Sequence, residues 1–368
     1  MAQAAVIPEA HLEPQPSNPA LRLLAFWRRH EFVRLLLRRA LATLVLCFGV
    51  TLVAFVLTHL VPGDPAAANL GLRALADPAI VKNFREQYGL DKPLPVQYEL
   101  YLSHLLHGDL GISQLTHRPV ATDLAQFVPA SFELGLLAIV LALAIGVPLG
   151  MVAAVHKDSW LDNTLSLISL GGVSTPPFWV GLILLYVFAF VLQIAPGSGR
   201  LSPGALPPPH VTGMYTIDSL LVGDVGTFGD AIHHLILPAS VLAIGGIGIL
   251  LRFTRSSVLE VIQNDYVTAA RAKGLPPMRV LLRYTLRAAL TPVLTLSGLM
   301  FADLMTGAVL VESVFAYPGV GLYAARSALN LDLSAITGVC MFVAIVYVAT
   351  NFGVDLLHAV IDPRVRQE

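Results

Sequence analysis

Uncharged apolar runs of bilayer length alternate with shorter polar stretches along this chain. Ala40–Gly63 holds no Asp, Glu, Lys or Arg over 24 residues, Leu134–His156 none over 23, and Asn163–Gly199 none over 37. Ala231–Leu251, Ala288–Val311 and Leu333–Val354 repeat the pattern, with Asp303 the one charge inside the second of these. A helix needs about 20 apolar residues to cross the hydrocarbon of a membrane, so the pattern predicts an all-α polytopic protein with six transmembrane helices. Asn163–Gly199 exceeds one crossing and carries Ser174-Thr-Pro-Pro-Phe178 near its middle. Prolines remove backbone hydrogen bonds and bend or break a helix. One kinked span emerging near Pro196 is preferred to two, since two would invert every later loop.

The polar stretch Asp265–Thr295 breaks this rhythm. It predicts two short amphipathic helices separated at Gly274-Leu275-Pro276-Pro277. Val258, Val261, Ile262, Tyr266, Ala269 and Ala270 recur at helical spacing, as one apolar face would. Gly274 stands where a left-handed C-cap is expected, and the two prolines stop the helix. Ala269, Ala270 and Ala272 keep the first helix slim enough to enter a groove on a partner. Arg279, Arg283 and Arg287 form an i, i+4, i+8 stripe on the second. A loop that only fixes topology would explain the charge but not the Ala-Ala, Gly and Pro-Pro architecture, so docking is the expectation.

Composition agrees with a membrane protein. Hydrophobic residues make up 55% and charged residues 13%, with a mean hydropathy of +0.72; soluble domains carry about 25% charged residues. The net charge of -1 is uninformative, but its distribution is not. Of the 23 Lys and Arg, 16 fall in segments that the six-span pattern places inside, which puts both termini in the cytoplasm by the positive-inside rule. Residues 1–20, with four prolines, predict a disordered tail, and the arginine-rich Leu21–Arg39 an interfacial helix on anionic lipid or a simple positive anchor. The expected division is an N-terminal extension over 1–33, a first helix and external loop over 34–131, and a core over 132–368 with the docking loop at 256–291. Cys47 and Cys340 lie inside apolar runs and match neither a disulfide framework nor a metal spacing.

Catalytic signals are missing from the pattern. The sequence contains no GxxxxGK[ST] phosphate loop, no HExxH and no GxSxG, so the expectation is a chain with no catalytic site, no cofactor or metal of its own, and no nucleic-acid partner. His233 and His234 are adjacent, and helix neighbours do not converge on one metal. Asp303, mid-span, is costly in hydrocarbon and so is a functional candidate. Glu133 is expected to cap the outer end of the second span, with Glu312 and Asp355 as interfacial anchors. One alternative is a self-contained, proton-coupled secondary transporter using Asp303 and Glu133, although such proteins often show repeat symmetry and none is apparent here.

Ala269-Ala270-Arg-Ala-Lys-Gly274 resembles the "EAA" coupling loop of ABC importer permeases. From about Arg38 to Arg366 the chain resembles the peptide/nickel branch, in its dipeptide "B" type subunit, and the 1–33 extension has no counterpart there. The resemblance rests on Leu60–Pro65, Tyr88–Pro93, Gly108–Ser113, Gly172–Gly181, Gly307–Phe315, Tyr317–Gly321 and Asp362–Arg366. It implies the MetI-like ABC importer permease fold and a bacterial inner-membrane location. The implied partners are a second permease chain of a different type, two cytoplasmic ATPases that bind ATP and Mg2+, and an external solute-binding protein. Thr268, Ala269, Ala270, Lys273, Gly274, Arg279 and Arg283 would contact the ATPase. Ser174, Pro176, Phe178 and Asp303 would line the path for dipeptides or oligopeptides. The chain departs from the pattern at Thr268 (usually Glu), Tyr284 (often His), Ala288 (usually Asn) and Asp303 (usually small).

Overall fold

The computed structural model describes residues 77–361 except 90, together with 41, 44, 45, 47–53, 55 and 56. The expectations for residues 1–40, the Leu60–Pro65 turn and the terminal Asp362–Arg366 lie outside the described residues. Chain contacts divide the protein into two compact units, Met1–Leu46 and Cys47–Glu368. No β-strand occurs among the described residues; Ile112 and Pro119 form one isolated bridge.

The helices are α1 (Pro78–Tyr88), α2 (Leu94–Leu106), α3 (Val120–Val155), α4 (Trp160–Ser174), α5 (Pro177–Leu184), α6 (Tyr215–Val222), α7 (Val225–Ile262) and α8 (Asp265–Ala272). Helix α9 runs from Pro277–Arg279 through a π-helical stretch, Val280–Leu286, into Arg287–Gly307. Short helices α10 (Val309–Val314) and α11 (Val320–Leu329) precede α12 (Leu333–Ile361). Among the described residues α3, α7, α9 and α12 are each long and apolar enough to cross a membrane, and α4 forms with α5 and its π-helical continuation Leu185–Val191 a bent pair that passes the same test. The described positions of 41–56 are helical, and Thr51 Oγ1 lies 2.9 Å from the Tyr98 hydroxyl on α2.

At the centre α3 packs along α7. Ala138, Ala142, Gly146, Gly150 and Ala154 recur every fourth residue and so share one face of α3. All five are buried, alongside Leu134, Leu235, Ala239, Val241 and Leu250. Helices in lipid gain little from burying apolar surface against one another, so small residues that let backbones approach supply the packing.

Three expectations change. The proline-bearing run is a break rather than a kink: α4 and α5 meet at 99°. Thr175 is extended (φ -91, ψ 128), as a residue before proline tends to be, and Pro177 opens the new helix. The second docking helix is not separate, because Pro277 starts the helix that continues to Gly307, eleven residues before the expected Ala288. The expected outer loop Glu312–Asp332 is itself built from α10 and α11.

Candidate coupling site and path

Helix α7 ends at Ile262, and Asn264 turns extended (ψ 145) before α8 begins. The apolar face expected to run unbroken from Val258 to Ala270 is therefore cut in two. In α8, Val267 and Ala270 face inward and form a small cluster with Val280 of α9, flanked by Val261 and Leu275. Thus α8 rests on the first turns of α9. Ala270 is 5% exposed and packs this joint from inside, whereas Ala269 and Ala272 are exposed.

Gly274 closes α8 in the left-handed conformation, with φ +75. The Gly274 N–H donates to Arg271 O at 2.9 Å and the Leu275 N–H to Ala270 O at 3.4 Å. This is the paired closure of a Schellman motif, completed by the Leu275–Ala270 apolar contact. Pro276 and Pro277 then launch α9. Thr268, Ala269, Lys273, Gly274, Arg279 and Arg283 are all exposed around this turn. Arg271, Lys273, Arg279, Arg283 and Arg287 pair with no carboxylate among the described residues. Five exposed cations around a small, rigid turn present a surface suited to an acidic groove.

The path candidates lie in two places. Ser174, Pro176 and Phe178 are exposed at the α4–α5 break, where the Thr175 hydroxyl donates to Gly171 O at 2.7 Å. Asp303 is exposed on α9, between the buried Ala302 and Met305.

Glu133 does not cap a helix. It lies well inside α3, 6% exposed, because the helix begins at Val120. Arg200 Nη2 donates to its Oε2 at 2.6 Å and to Gly213 O at 3.0 Å. The Thr216 N–H donates to Glu133 Oε1 at 2.7 Å, and the Arg200 guanidinium stacks 3.5 Å from the Tyr215 ring centre. This clamp ties the Pro- and Gly-rich segment after α5 to α3. Beside it, Glu312 is 1% exposed and so is not an interfacial anchor. It accepts the Ser131 hydroxyl at 2.6 Å and the Leu322 N–H at 2.8 Å, and burial raises its carboxyl pKa against those bonds. Sequence reasoning missed this network; the one signal was the quoted Gly307–Phe315 motif, which contains Glu312. His233 and His234 sit edge to face at 6.3 Å, and their nitrogens lie near Ile194 O and Asp230 O respectively.

The model of the "binding-protein-dependent transport system inner membrane component" family matches residues 146–367, and that of the N-terminal part of such membrane components matches 32–123. The chain belongs to this family of transport permeases. It is similar to the probable D,D-dipeptide transport permease DdpB of Escherichia coli K12, 46% identical over 334 residues that cover 91% of this chain and 98% of that protein. The dipeptide permease DppB of the same organism is 37% identical over 338 residues (91% and 99%), and the di/tripeptide permease DppB of Pseudomonas aeruginosa 41% over 321 (87% and 95%). The inward-facing methionine ABC transporter MetNI shares the fold, with a TM-score of 0.50 at 16% identity, over 65% of this chain and 96% of that one. As a permease of this family, the protein is an inner-membrane transport component and not an enzyme. The self-contained proton transporter is set aside on two grounds: the family depends on a binding protein, and Glu133 is held in the Arg200 clamp.

Proposed function

We propose that this chain is one permease subunit of an ATP-driven importer of dipeptides or longer peptides. It crosses the membrane six times with both termini in the cytoplasm, and pairs with a second, different permease chain. Two cytoplasmic ATPases bind ATP and Mg2+ and receive the turn around α8, through Thr268, Ala269, Lys273, Gly274, Arg279 and Arg283. Ala270 fastens that turn to α9 from inside. An external binding protein delivers the peptide. The observation that carries the reading is the Schellman-closed turn at Gly274, exposed and ringed by cations that pair with no carboxylate among the described residues, in a chain of this family. The relatives' names supply the peptide substrate.

ATP-driven closure of the ATPases would move α8. Because α8 packs on α9, that movement reaches the helix carrying Asp303 directly. Ser174, Pro176, Phe178 and Asp303 line the path, and Asp303 attracts a peptide ammonium. The test is uptake of a labelled dipeptide into proteoliposomes containing the purified complex. Uptake that requires ATP and the binding protein supports the reading. Uptake driven by a proton gradient without ATP refutes it.

A further inference from the structure

Helix α4 is fastened to α7 at three levels, and the contacts run antiparallel. At the first, Arg255 holds Asp162 by two hydrogen bonds, Nε to Oδ1 at 2.6 Å and Nη2 to Oδ2 at 2.7 Å. The Asp162 side chain is 2% exposed, and the Asp158 N–H adds a third bond to Oδ2 at 3.0 Å. Seven residues along each helix, the Ser169 hydroxyl donates to Gly248 O at 2.7 Å. There the backbones touch, for a Cβ on Gly248 would sit 2.7 Å from Ser169 O. Further on, a Cβ on Gly172 would sit 3.1 Å from Ile244 O. Seven helical residues rise about 10 Å, so the three contacts hold most of the length of α4.

The two ends of this assembly are the sites described above. Two residues past Gly172 the chain reaches Ser174 and the 99° break. Seven residues past Arg255, α7 ends at Ile262 and hands over to α8. Resting on the reading of α8 as the ATPase-docking helix, we infer that the Asp162–Arg255 fork is a positioning contact that carries movement of α7 to the proline break. A planar guanidinium bound to a carboxylate at two points fixes orientation as well as distance. The upper contacts are one hydroxyl bond and close backbone packing, about which α4 can pivot. With the fork in place α4 must follow α7 as one body. Without it, α7 moves and the break lags. Asp162 and Arg255 touch neither the proposed peptide path nor the docking turn, so their effect would pass entirely through α4.

The experiment uses the complete complex, with its ATPases and binding protein, in proteoliposomes, and reads labelled dialanine taken up per ATP hydrolysed. In Asp162→Asn, ATP hydrolysis stays within about twofold of wild type while uptake per ATP falls about tenfold. Arg255→Lys keeps the charge and loses the fork, and falls less. The pair Asp162→Asn with Arg255→Gln falls no further than Asp162→Asn alone, because the two act as one unit. Uptake and hydrolysis falling in proportion would mark the pair as merely structural and overturn the inference, as would uptake per ATP unchanged in all variants. Failure of the functional reading is a different result: a wild-type complex with no ATP-driven uptake at all.

Discussion

Replacing Glu133 by Gln removes the only carboxylate that Arg200 contacts among the described residues and leaves the guanidinium buried beside Tyr215 and Tyr317. The two partners are 6% and 7% exposed and 2.6 Å apart, so water screens little of the interaction. Breaking a pair so buried, with one charge left behind, costs about 3–5 kcal/mol. Part of the Arg200 environment survives, since Gly213 O still accepts from Nη2 and the Tyr215 face remains, which places the expectation near the lower figure. In a chain of this length that is a fall of roughly 5–10 °C in the thermal midpoint of the detergent-purified protein. Arg200→Met strands Glu133 instead, with the Thr216 N–H as its strongest remaining donor, and should cost a similar amount. The double variant Glu133→Gln with Arg200→Met removes both charges and should be more stable than either single one, which requires a coupling above about 3 kcal/mol. Melting curves of the four proteins give the answer. A Glu133→Gln protein melting within about 1 °C of wild type, or single costs that simply add in the double, would refute a buried clamp.

Gly248→Ala forces a methyl to within 2.7 Å of Ser169 O and should cost about 1–3 kcal/mol by displacing α4 from α7; an unchanged melting midpoint would show that the two helices are not in backbone contact. Asp218 anchors the turn before α6. Burial pushes its carboxyl pKa up, but bonds from the Thr212 hydroxyl and the Thr212, Gly213 and Val211 N–H groups together hold it below its ordinary value. A depressed folded pKa stabilises above the unfolded value near 4 and is lost as pH falls through the folded one. The midpoint gap between wild type and Asp218→Asn should therefore be full at pH 6–7 and close in acid, and a gap independent of pH would contradict this. Asp303→Asn should lower uptake of a cationic dipeptide relative to a neutral one by about fivefold, the ~1 kcal/mol that two charges 4 Å apart share in water; an equal effect on both would remove Asp303 from the path.

The long helices were legible in the sequence because uncharged runs of more than 20 residues leave a chain few alternatives. The Gly274 turn was legible for a similar reason: a glycine followed by Leu-Pro-Pro after a helical pattern has one economical local meaning. Where sequence reading went wrong, the local signal had two meanings. Pro276 and Pro277 end one helix and also begin the next, so the start of α9 was mistaken for a separate helix. The inward turn of Ala270 depends on the break at Asn264, which resets the phase of the apolar face. Glu133 was placed at a helix end because the mixed, polar residues 120–133 hid the first turns of α3. Arg200 could not be matched with Glu133, since the partners lie 67 residues apart and only the fold brings them together.

The central claim is that the turn at Gly274 enters an ATPase, and the direct measurement is copurification of the complex through a tag on this chain. The space around the Gly274 Cβ position is open within the chain, so Gly274→Trp should leave the permease's own core packing intact. It strains the left-handed turn by about 1–2 kcal/mol and places a bulky ring where a partner's groove must close. The account predicts that wild type retains the ATPases in stoichiometric amounts, while Gly274→Trp loses them and keeps its melting midpoint to within a few degrees. ATPases retained equally by both proteins would contradict it.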